Sequence, residues 1–479
     1  MEYDDQKTDV NNIGIFGVGL HTYWSQFNGL EKRLEGYLNG IAEKLQDLGI
    51  GVVNGGLVDT PDKARDVAGF FREKHVEMLF LYVSTYALSH TVLPVAQQTK
   101  VPVVILNLQP LPSIDYKRIN GISDRGVMTG EWLANCQACA VPEIARVFND
   151  AGIKYDIITG WLEDPDSWKE ITEWCNAVNV FVNIRNSRIG ILGHYYCGML
   201  DVYTDVTRLM SVFGTHFELL EMDRLKALRD RVNKKEIELK LDQFKNEFSI
   251  SDECGDDELY RAAHTSCALD ALVDEENLDA MAYYYEGQPG NDHENIITSV
   301  IAGNTILTSH HIPVAGECEV KTALAMKIVD SFNAGGSFSE IVGVDFTDDV
   351  MILGHDGPAH SAIAQGKVEL VPLPVYHGKP GKGLSIQMTV RYGPATLLAV
   401  VQGPKDTFFL CAEGESVSGP VLEIGNTESR YRFPLHVKDF INQWSKAGPS
   451  HHWAIGTGHI AGSLEKLAQL FGIRFVKIC

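Results

Sequence analysis

Short apolar runs alternate with amphipathic helical patterns over the first third of the chain. Apolar runs lie at residues 13–16, 78–83 and 101–106, and helical patterns such as the one at 30–48 separate them. Strands and helices that alternate at this spacing form a parallel sheet covered on both faces. In such sheets ligands bind at the carboxyl ends of the strands. The pattern therefore predicts an α/β domain over residues 1–180, with binding loops at its strand ends.

The middle of the chain repeats this alternation, and the last third does not. New apolar runs, the first ending at Gly193, predict a second parallel α/β domain over residues 181–335. Beyond it, segments of alternating apolar and polar residues are separated by Gly and Pro, which is typical of antiparallel sheet or barrel. These segments cover residues 368–376, 384–392, 395–402, 407–413 and 421–424. The expected fold class is α/β, with two Rossmann-like parallel domains followed by an antiparallel β-barrel-like domain at 336–479.

Composition and charge narrow the class of protein. The chain has 479 residues, 45% of them hydrophobic, and this length fits about three domains of ordinary size. Its formal net charge of −22 argues against nucleic acid and anionic membranes as partners, because phosphate groups are bound by clustered Lys and Arg. No stretch approaches the roughly 18 apolar residues of a membrane span, and the acidic start lacks the apolar segment of a signal peptide. A soluble cytoplasmic protein is the expectation.

Nine cysteines are scattered through the chain. In a chain of this length such a scatter indicates reduced thiols rather than a disulfide framework. Cys136 and Cys139 form a C-x-x-C inside a segment with a helical pattern. We expect two small buried residues on one helical face there, and a redox or metal role is the less favoured alternative.

The residues with the most distinctive chemistry lie at predicted strand ends in the last third of the chain. Glu317 follows an apolar run and precedes a helical pattern, so it lies at a strand-to-helix turn, and Asp345 and His355 each end a further apolar run. Carboxylates with an imidazole suit a divalent ion such as Mn²⁺ better than a structural zinc site, which favours thiolates. The pair His451-His452 offers a fourth ligand. Acids and histidines at strand ends are also common as solvated caps, so that alternative stays open.

Eight segments occur in a characteristic order along nearly the whole chain. They are the G-x-G-L-H-T-Y after the first strand, ILNLQP, TGWLEDPDSWKEITEW, GMLDVYTD, VAGECEVKTALAMK, VDFTDDVMILGHDGPAH, LEIGNTESRYRF and AGPSHHWAIGTGH. In these segments the chain resembles the L-arabinose isomerase and L-fucose isomerase superfamily. It is the shared order that makes the resemblance specific, because each segment alone is short.

The resemblance implies a metal site. Arabinose isomerases hold Mn²⁺ with two carboxylates and two histidines, and carrying this pattern onto the chain implies Glu317, Asp345, His355 and His452 as ligands. Asp345 stands where arabinose isomerases have Glu, and this leaves the identity of the sugar more open than the chemistry. Co²⁺ or Mg²⁺ could replace Mn²⁺, since geometry and availability decide among these ions.

The resemblance also implies residues that bind the substrate. His451 resembles the sugar-contacting neighbour of the last ligand, and Glu319 matches a second acid two residues after the first ligand. His21 and Tyr23 lie in the loop that contacts sugar in arabinose isomerases. Arg125 lies in a segment that resembles one that such enzymes lend to a neighbouring subunit. The resemblance as a whole also implies a homo-oligomer, a trimer or hexamer.

These features predict a metal-dependent aldose–ketose isomerase for an unphosphorylated sugar that resembles L-arabinose or L-fucose or carries a 6-substituent. Glu317 and Asp345 would act as base and acid in a cis-enediol path, with Glu317 favoured as the base, and a metal-assisted hydride shift is the mechanistic alternative. The alternatives from other classes are a sugar-binding or sensing protein without turnover and a metal-dependent hydrolase. Basic residues such as Arg185, Arg188 and Lys379 leave an anionic substituent on the sugar open.

Overall fold

A computed structural model describes residues 12–479 of the chain, apart from 374, 377–378, 381 and 425–426. The chain divides into two compact units, Met1–Val182 and Asn183–Cys479. Among the helices of the described residues, none has the length and apolarity that crossing a lipid bilayer requires.

A parallel sheet of five strands forms the centre of the first unit. The strands are Ile13–Val18 (β1), Val52–Val58 (β2), Met78–Val83 (β3), Val103–Gln109 (β4) and Tyr155–Trp161 (β5). They lie in the order β2-β1-β3-β4-β5. The helices are Leu30–Asp47 (α1), Pro61–Glu73 (α2), Ser89–Thr99 (α3), Tyr116–Asn120 (α4), Arg125–Leu133 (α5), Val141–Ala151 (α6) and Pro165–Asn186 (α7), the last of which crosses into the second unit.

The central strands of this sheet are apolar on both faces. Every residue of β1 and β3 is buried, which is the pattern of a parallel sheet covered by helices. Helix α1 buries Leu34 and Leu38 along one stripe. The Thr60 hydroxyl accepts the Lys63 N–H and Pro61 opens α2, and both features fix the start of that helix. The predicted alternation of strands and helices is confirmed.

A second parallel sheet begins the second unit. Its strands are Arg188–Gly193 (β6), His216–Leu220 (β7), Ala280–Tyr284 (β9) and Val314–Ala315 (β10), in the order β10-β9-β6-β7, and Ser249–Ile250 (β8) lies outside this sheet. The helices that accompany it are Val206–Phe213 (α8), Met222–Arg229 (α9), Lys234–Glu247 (α10), Asp256–Glu276 (α11), Asp292–Ile297 (α12), Ile301–Ser309 (α13) and Val320–Ser331 (α14). Strand β10 therefore lies at one edge, and its carboxyl end leads directly toward α14.

A closed antiparallel barrel of six strands follows. The strands after α14 are Gly335–Asp345 (β11), Val350–His355 (β12), Glu369–Pro372 (β13), Val375–Tyr376 (β14), Lys379–Pro380 (β15), Leu384–Gln387 (β16), Gly393–Gln402 (β17), Thr407–Val417 (β18), Thr427–Arg432 (β19), Trp453–Thr457 (β20) and Arg474–Lys477 (β21). The barrel order is β17-β20-β11-β12-β19-β18, and pairing of β18 with β17 closes it. Helices Val437–Ala447 (α15) and Ala461–Phe471 (α16) complete the unit.

The remaining short strands extend the second unit beyond the barrel. Strand β21 adds to β18 in parallel, β13 pairs with β16 and β8, and β14 pairs with β15. A large apolar core that includes Leu397, Leu410, Tyr431 and Trp444 joins the barrel to these elements. The expected fold class, two Rossmann-like parallel sheets and an antiparallel barrel, is confirmed, and the division into three domains stays a prediction.

The segment 421–424 is not the strand that its sequence predicts. Leu422 and Ile424 are more than half exposed, so this segment has no buried face to pack. The Leu422 N–H donates to the Glu428 side chain at 3.0 Å instead of joining a ladder. The strand at this place in the chain is β19, which begins at Thr427.

The C-x-x-C pair is also placed differently from the prediction. Helix α5 ends at Leu133, so Cys136 and Cys139 lie in the turn before α6, where they form a disulfide. The buried Gln137 amide donates to the backbone oxygens of Ser84 and Ala134 at 2.9 Å, and these bonds hold the turn against the end of β3. The other seven cysteines are free thiols, as expected.

Candidate functional site

Glu317, His451 and His452 form a cluster with the geometry of a metal site in the second unit. One ligand atom from each residue lies within 4.8 Å of the other two. The Glu317 Oε2 atom is 3.3 Å from Nε2 of His452 and 3.7 Å from Nε2 of His451. Glu317 and His452 are buried, whereas the His451 side chain is about 38% exposed. The cluster therefore has a dry side and an open side, which a bound substrate requires.

A tight turn between β10 and α14 presents Glu317. Glu317 and Cys318 both have left-handed backbone conformations, with φ of +55° and +57°. Such conformations cost about 1–3 kcal/mol at non-glycine residues and persist where the surrounding structure requires them. The Cys318 N–H donates to the Tyr283 carbonyl at 2.9 Å, and the Glu319 N–H donates to the Gly316 carbonyl at 3.0 Å. The strand-to-helix turn that the sequence predicts is thus present, in a strained form that aims the carboxylate.

Three neighbouring barrel strands bring the remaining groups to one rim. His355 ends β12, Phe338 lies on β11, and His452 directly precedes β20. The Phe338 ring packs against both imidazoles, with centroid distances of 4.6 Å to His355 and 4.4 Å to His452. Nε2 of His355 is 3.9 Å from Glu317 Oε1. The structure therefore brings together Glu317, His355 and His452, three of the four predicted ligands.

Hydrogen bonds fix the ring of His355 and the backbone of His452. Nδ1 of His355 accepts the Gly357 N–H at 2.9 Å, which leaves Nε2 on the side of Glu317. The Thr322 hydroxyl donates to the His452 backbone carbonyl at 3.2 Å and ties the start of β20 to helix α14. In metal sites the far ring nitrogen of a ligating imidazole instead donates its proton. With Nδ1 of His355 as the acceptor, the proton of the neutral imidazole is on Nε2, on the side of Glu317.

Asp345, the fourth predicted ligand, lies at the opposite end of its hairpin. Asp345, on β11, pairs with Val350, the first residue of β12. His355 is the last residue of β12, five residues further on. At about 3.4 Å per residue, Asp345 and His355 are therefore separated by roughly 17 Å along the strands. Asp345 Oδ1 accepts the backbone N–H groups of Thr347 and Asp348, so it caps the hairpin turn. The assignment of Asp345 as ligand and acid–base group is corrected by this position.

Glu340 is the carboxylate that the sequence interpretation missed. It pairs with Gly354, one residue before His355, and it lies two residues from Phe338, on the same face of β11. Burial raises its pKa, the positive fields of His355 and His451 oppose this, and the negative field of Glu317 adds to it. These effects place Glu340 within electrostatic reach of the cluster. The sole sequence signal was its spacing from Phe338, because Glu340 lies inside a strand rather than at its end.

Glu319 is a buried residue next to the Glu317 turn and not an exposed residue of the cluster. Its side chain is fully buried, and Oε1 is 2.9 Å from Nζ of the buried Lys321. Burial raises the pKa of Glu319 to about 7, against the opposing effect of Lys321. In this geometry Glu319 therefore forms a buried ion pair with Lys321 instead of the predicted contact with substrate.

His451 is held between two carboxylates. Its Nδ1 is 2.6 Å from Asp201 Oδ2, which also accepts the His451 backbone N–H at 3.0 Å. Burial disfavours the charged imidazole, but the hydrogen bonds to Glu317 and Asp201 outweigh burial and raise the pKa of His451 to about 9.

The other predicted substrate residues belong to the first unit. His21 and Tyr23 form a turn of 3₁₀ helix after β1, as the strand-end prediction requires, and His21 Nδ1 lies 3.5 Å from the buried Asp59. Arg125 is exposed at the start of α5. Their part in binding sugar stays a prediction.

Two of the basic residues that left an anionic substituent open, Arg185 and Arg188, lie away from the carboxyl ends of the second sheet. Arg188 begins β6, so it lies at the amino edge, and it pairs with Glu218 at 3.6 Å. Arg185 precedes it in the last turn of α7. The Lys379 side chain lies outside the described residues.

Comparison with known proteins gives one curated relative with informative coverage. An L-arabinose isomerase from a Nocardioides species is 21% identical to this chain over 355 residues, which are 70% of this chain and 68% of the relative. No family model matches the chain.

Two solved structures match the chain over about two thirds of its length. One is a periplasmic solute-binding protein of an ABC transporter from Actinobacillus succinogenes with bound D-allose, at 11% identity, covering 64% of this chain and 78% of that chain. The other is a probable maltose operon transcriptional repressor from Staphylococcus aureus, at 13% identity, covering 64% and 95%. Both have TM-scores of 0.17, so neither bears on the fold or the function.

Proposed function

We propose that the protein is a metal-dependent aldose–ketose isomerase that acts on an unphosphorylated sugar. The observation that carries this proposal is the convergence of Glu317 with His451 and His452, from segments more than 130 residues apart, at the carboxyl end of a parallel sheet. The similarity to an L-arabinose isomerase over 70% of the chain points to the same chemistry.

The donor set fits a divalent ion such as Mn²⁺. Glu317, His451 and His452 would hold the ion, His355 borders the same position, and Glu340 lies within electrostatic reach of these groups. A carboxylate with imidazoles suits Mn²⁺ or Co²⁺, whereas a structural zinc site favours thiolates. Cys318 is buried beside Glu317, but burial raises the pKa of its thiol to about 12, so it is not a ready thiolate ligand. When bound, the ion supplies Lewis-acid polarisation of the sugar carbonyl.

The two carboxylates provide the proton transfers of isomerisation. In the direction from aldose to ketose, Glu317 takes the proton from C2, the bonding electrons form the C1–C2 double bond of a cis-enediol, and the proton returns to C1 as the second carbonyl forms. The hydroxyl proton moves from O2 to O1 in the same sequence. Burial raises the pKa of Glu340, so its carboxyl retains a proton more readily than an exposed one and suits the acid role.

A metal-assisted hydride shift is the alternative path, and solvent exchange separates it from the enediol path. In D₂O the enediol path incorporates deuterium at C1 of the ketose, because the carboxyl proton exchanges with solvent. The hydride path transfers the original hydrogen without exchange. NMR or mass analysis of the ketose after partial conversion measures this difference.

Turnover of a sugar panel tests the proposed function. Chelator-stripped protein is incubated with L-arabinose, L-fucose, D-arabinose and 6-substituted hexoses, with and without Mn²⁺, and ketose is measured. Turnover of at least one sugar that requires Mn²⁺ is the expected result, and Glu317→Gln is expected to abolish it. If Mn²⁺ binds and no aldose of the panel reacts, the substrate is a sugar outside the panel or the protein is a sugar-binding protein without turnover. The homo-oligomeric state and the cytoplasmic location expected from the sequence stay parts of this proposal.

A further inference from the structure

A hydrogen-bond network outside the Glu317 cluster holds the open side of that cluster in place, with an exposed end at Asp201 and a buried end at Lys321 and Glu319. It begins with Asp201, in the loop between β6 and α8. A single oxygen of Asp201 accepts both the backbone N–H and the Nδ1–H of His451, at 3.0 Å and 2.6 Å. Two bonds from one residue to one oxygen fix the ring as well as the backbone of His451, so that Nε2 faces Glu317.

Lys321 fixes the loop that carries Asp201. Its Nζ donates to the backbone carbonyls of Asp201 and Val202 at 2.9 Å and 3.3 Å, and to the Thr204 hydroxyl at 3.2 Å. Its side chain is 5% exposed, and the fully buried Glu319 balances its charge at 2.9 Å. A buried ion pair is costly to desolvate and is weak evidence for stability, so a role in fixing geometry accounts for it better.

The network connects the Glu317 side of the cluster to the His451 side, because Glu317 and Lys321 are only four residues apart in the chain. Lys321 follows Glu317 by one helical turn in the same strand-to-helix segment. The segment that presents the Glu317 carboxylate therefore also sets, through Lys321 and Asp201, the position of His451. A movement of one side relative to the other would break either the Lys321 bonds or the Asp201 bonds.

We infer that Asp201 is a positioning residue for the proposed metal site, that it acts only through His451, and that the Glu319–Lys321 pair braces it. This inference rests on the proposed function, since it concerns the same site. Residues that orient metal ligands typically change metal affinity about 10–100-fold when they are removed. Neither a surface salt bridge nor a folding contact has that effect.

Mn²⁺ titration by calorimetry, on chelator-stripped protein without sugar, tests the inference. Asp201→Ala is expected to weaken Mn²⁺ binding about 10–100-fold. His451→Ala is expected to have a similar effect, and the double variant is expected to bind no more weakly than His451→Ala alone, because Asp201 has no other route to the metal. Additive losses in the double variant, or binding by Asp201→Ala within about twofold of wild type, would overturn the inference.

A second aspartate–histidine pair supplies the matched control. Asp223 contacts His293 at 2.9 Å, and its side chain is 87% exposed beside β7, at the other edge of the parallel sheet from β10. Asp223→Ala removes the same kind of contact and is expected to leave Mn²⁺ affinity unchanged. A loss equal to that of Asp201→Ala would mean that the effect is general and would count against the inference.

Two further measurements separate the possible causes of a negative result. If wild-type protein binds no Mn²⁺, the proposed function fails and the inference fails with it. If wild type binds and Asp201→Ala binds equally well, only the inference fails. Thermal unfolding of the metal-free variants checks that they fold, and Asp201→Asn, which keeps an acceptor for the His451 N–H, replaces Asp201→Ala if that variant does not fold.

Discussion

Glu340 lies directly across the β11–β12 ladder from Gly354, the residue before His355, and His355 acts electrostatically on its carboxyl. The same hairpin carries Asp345 at its other end, so one pair of strands holds one carboxylate near the site and another far from it. This relationship favours Glu340 over Asp345 as the acid of the proposed reaction.

Replacing Glu340 should lower turnover strongly, whereas replacing Asp345 should leave turnover nearly unchanged. Glu340→Gln is expected to lower kcat about 10²–10⁴-fold, the usual contribution of an acid–base group. Asp345→Asn is expected to leave kcat within about twofold, because its carboxylate caps the hairpin turn, and to lower the melting temperature slightly. Steady-state kinetics with any sugar that turns over measures both. A large loss in Asp345→Asn with none in Glu340→Gln would reverse the assignment.

Gly354 is expected to tolerate no side chain. A Cβ atom there would lie 1.4 Å from the Thr427 carbonyl oxygen, in the ladder between β12 and β19. Gly354→Ala should therefore separate these strands, displace His355, and produce insoluble protein or protein with no metal affinity.

Gly343→Ala is the control for this substitution. It lies in the same hairpin, but its Cβ would meet only ordinary contacts with Ile352, the nearest at 3.7 Å. Soluble expression and melting temperature compare the two variants. Equal behaviour of both variants would show that the close approach at Gly354 is not a constraint.

Mn²⁺ should stabilise the folded protein through the cluster at Glu317. At a free ion concentration about 100 times Kd, binding only to the folded state contributes about 2.7 kcal/mol. For a unit of this size we expect the melting temperature to rise by about 5 °C. Excess chelator should remove the rise, and Glu317→Gln should not show it. An equal rise in Glu317→Gln would place the stabilising ion elsewhere.

Asp330 should give the protein an acid-sensitive contribution to stability. Burial alone would raise its pKa, but hydrogen bonds from His311 and His360 outweigh burial and lower the pKa to about 2. Because the folded pKa lies below the unfolded value of about 3.9, the ionised form stabilises the fold above pH 4, and this contribution is lost as pH falls toward 2. Its size is roughly 2 kcal/mol at neutral pH.

Urea unfolding at several pH values tests this contribution. Asp330→Asn is expected to lower the free energy of unfolding at pH 6 and to flatten its decline between pH 5 and pH 3. Asp252→Asn, at an exposed turn, should match wild type at each pH. A slope in Asp330→Asn as steep as that of wild type would contradict the assignment.

The sequence predicts much of the fold because hydrophobic periodicity reports burial directly. Continuous apolar strands identify both parallel sheets, and alternating ones identify the barrel. Glu317 was identifiable for the same reason, since a strand, a turn and a helix meet there. His355 and His452 likewise lie where strands of the barrel end and begin.

The choice between Asp345 and Glu340 needed information that the sequence does not contain. The apolar run at 341–344 suggests a strand that ends at Asp345, and β11 does end there. The strand begins at Gly335, however, so Glu340 lies in its middle, and only the pairing with β12 shows which end faces the histidines. The prediction of a helix at the C-x-x-C failed for a related reason. The helical pattern of the sequence continues through this segment, but α5 ends at Leu133.

Closure of the barrel has a consequence for how the site can change over evolutionary time. The three strands that carry Glu340, His355 and His452 are each hydrogen-bonded on both sides, so none can slide along its neighbours without breaking two ladders. The paired strands therefore fix the distances among these three residues. A change in the preferred ion radius or in the size of the sugar must come from the Glu317 turn or from the surrounding loops.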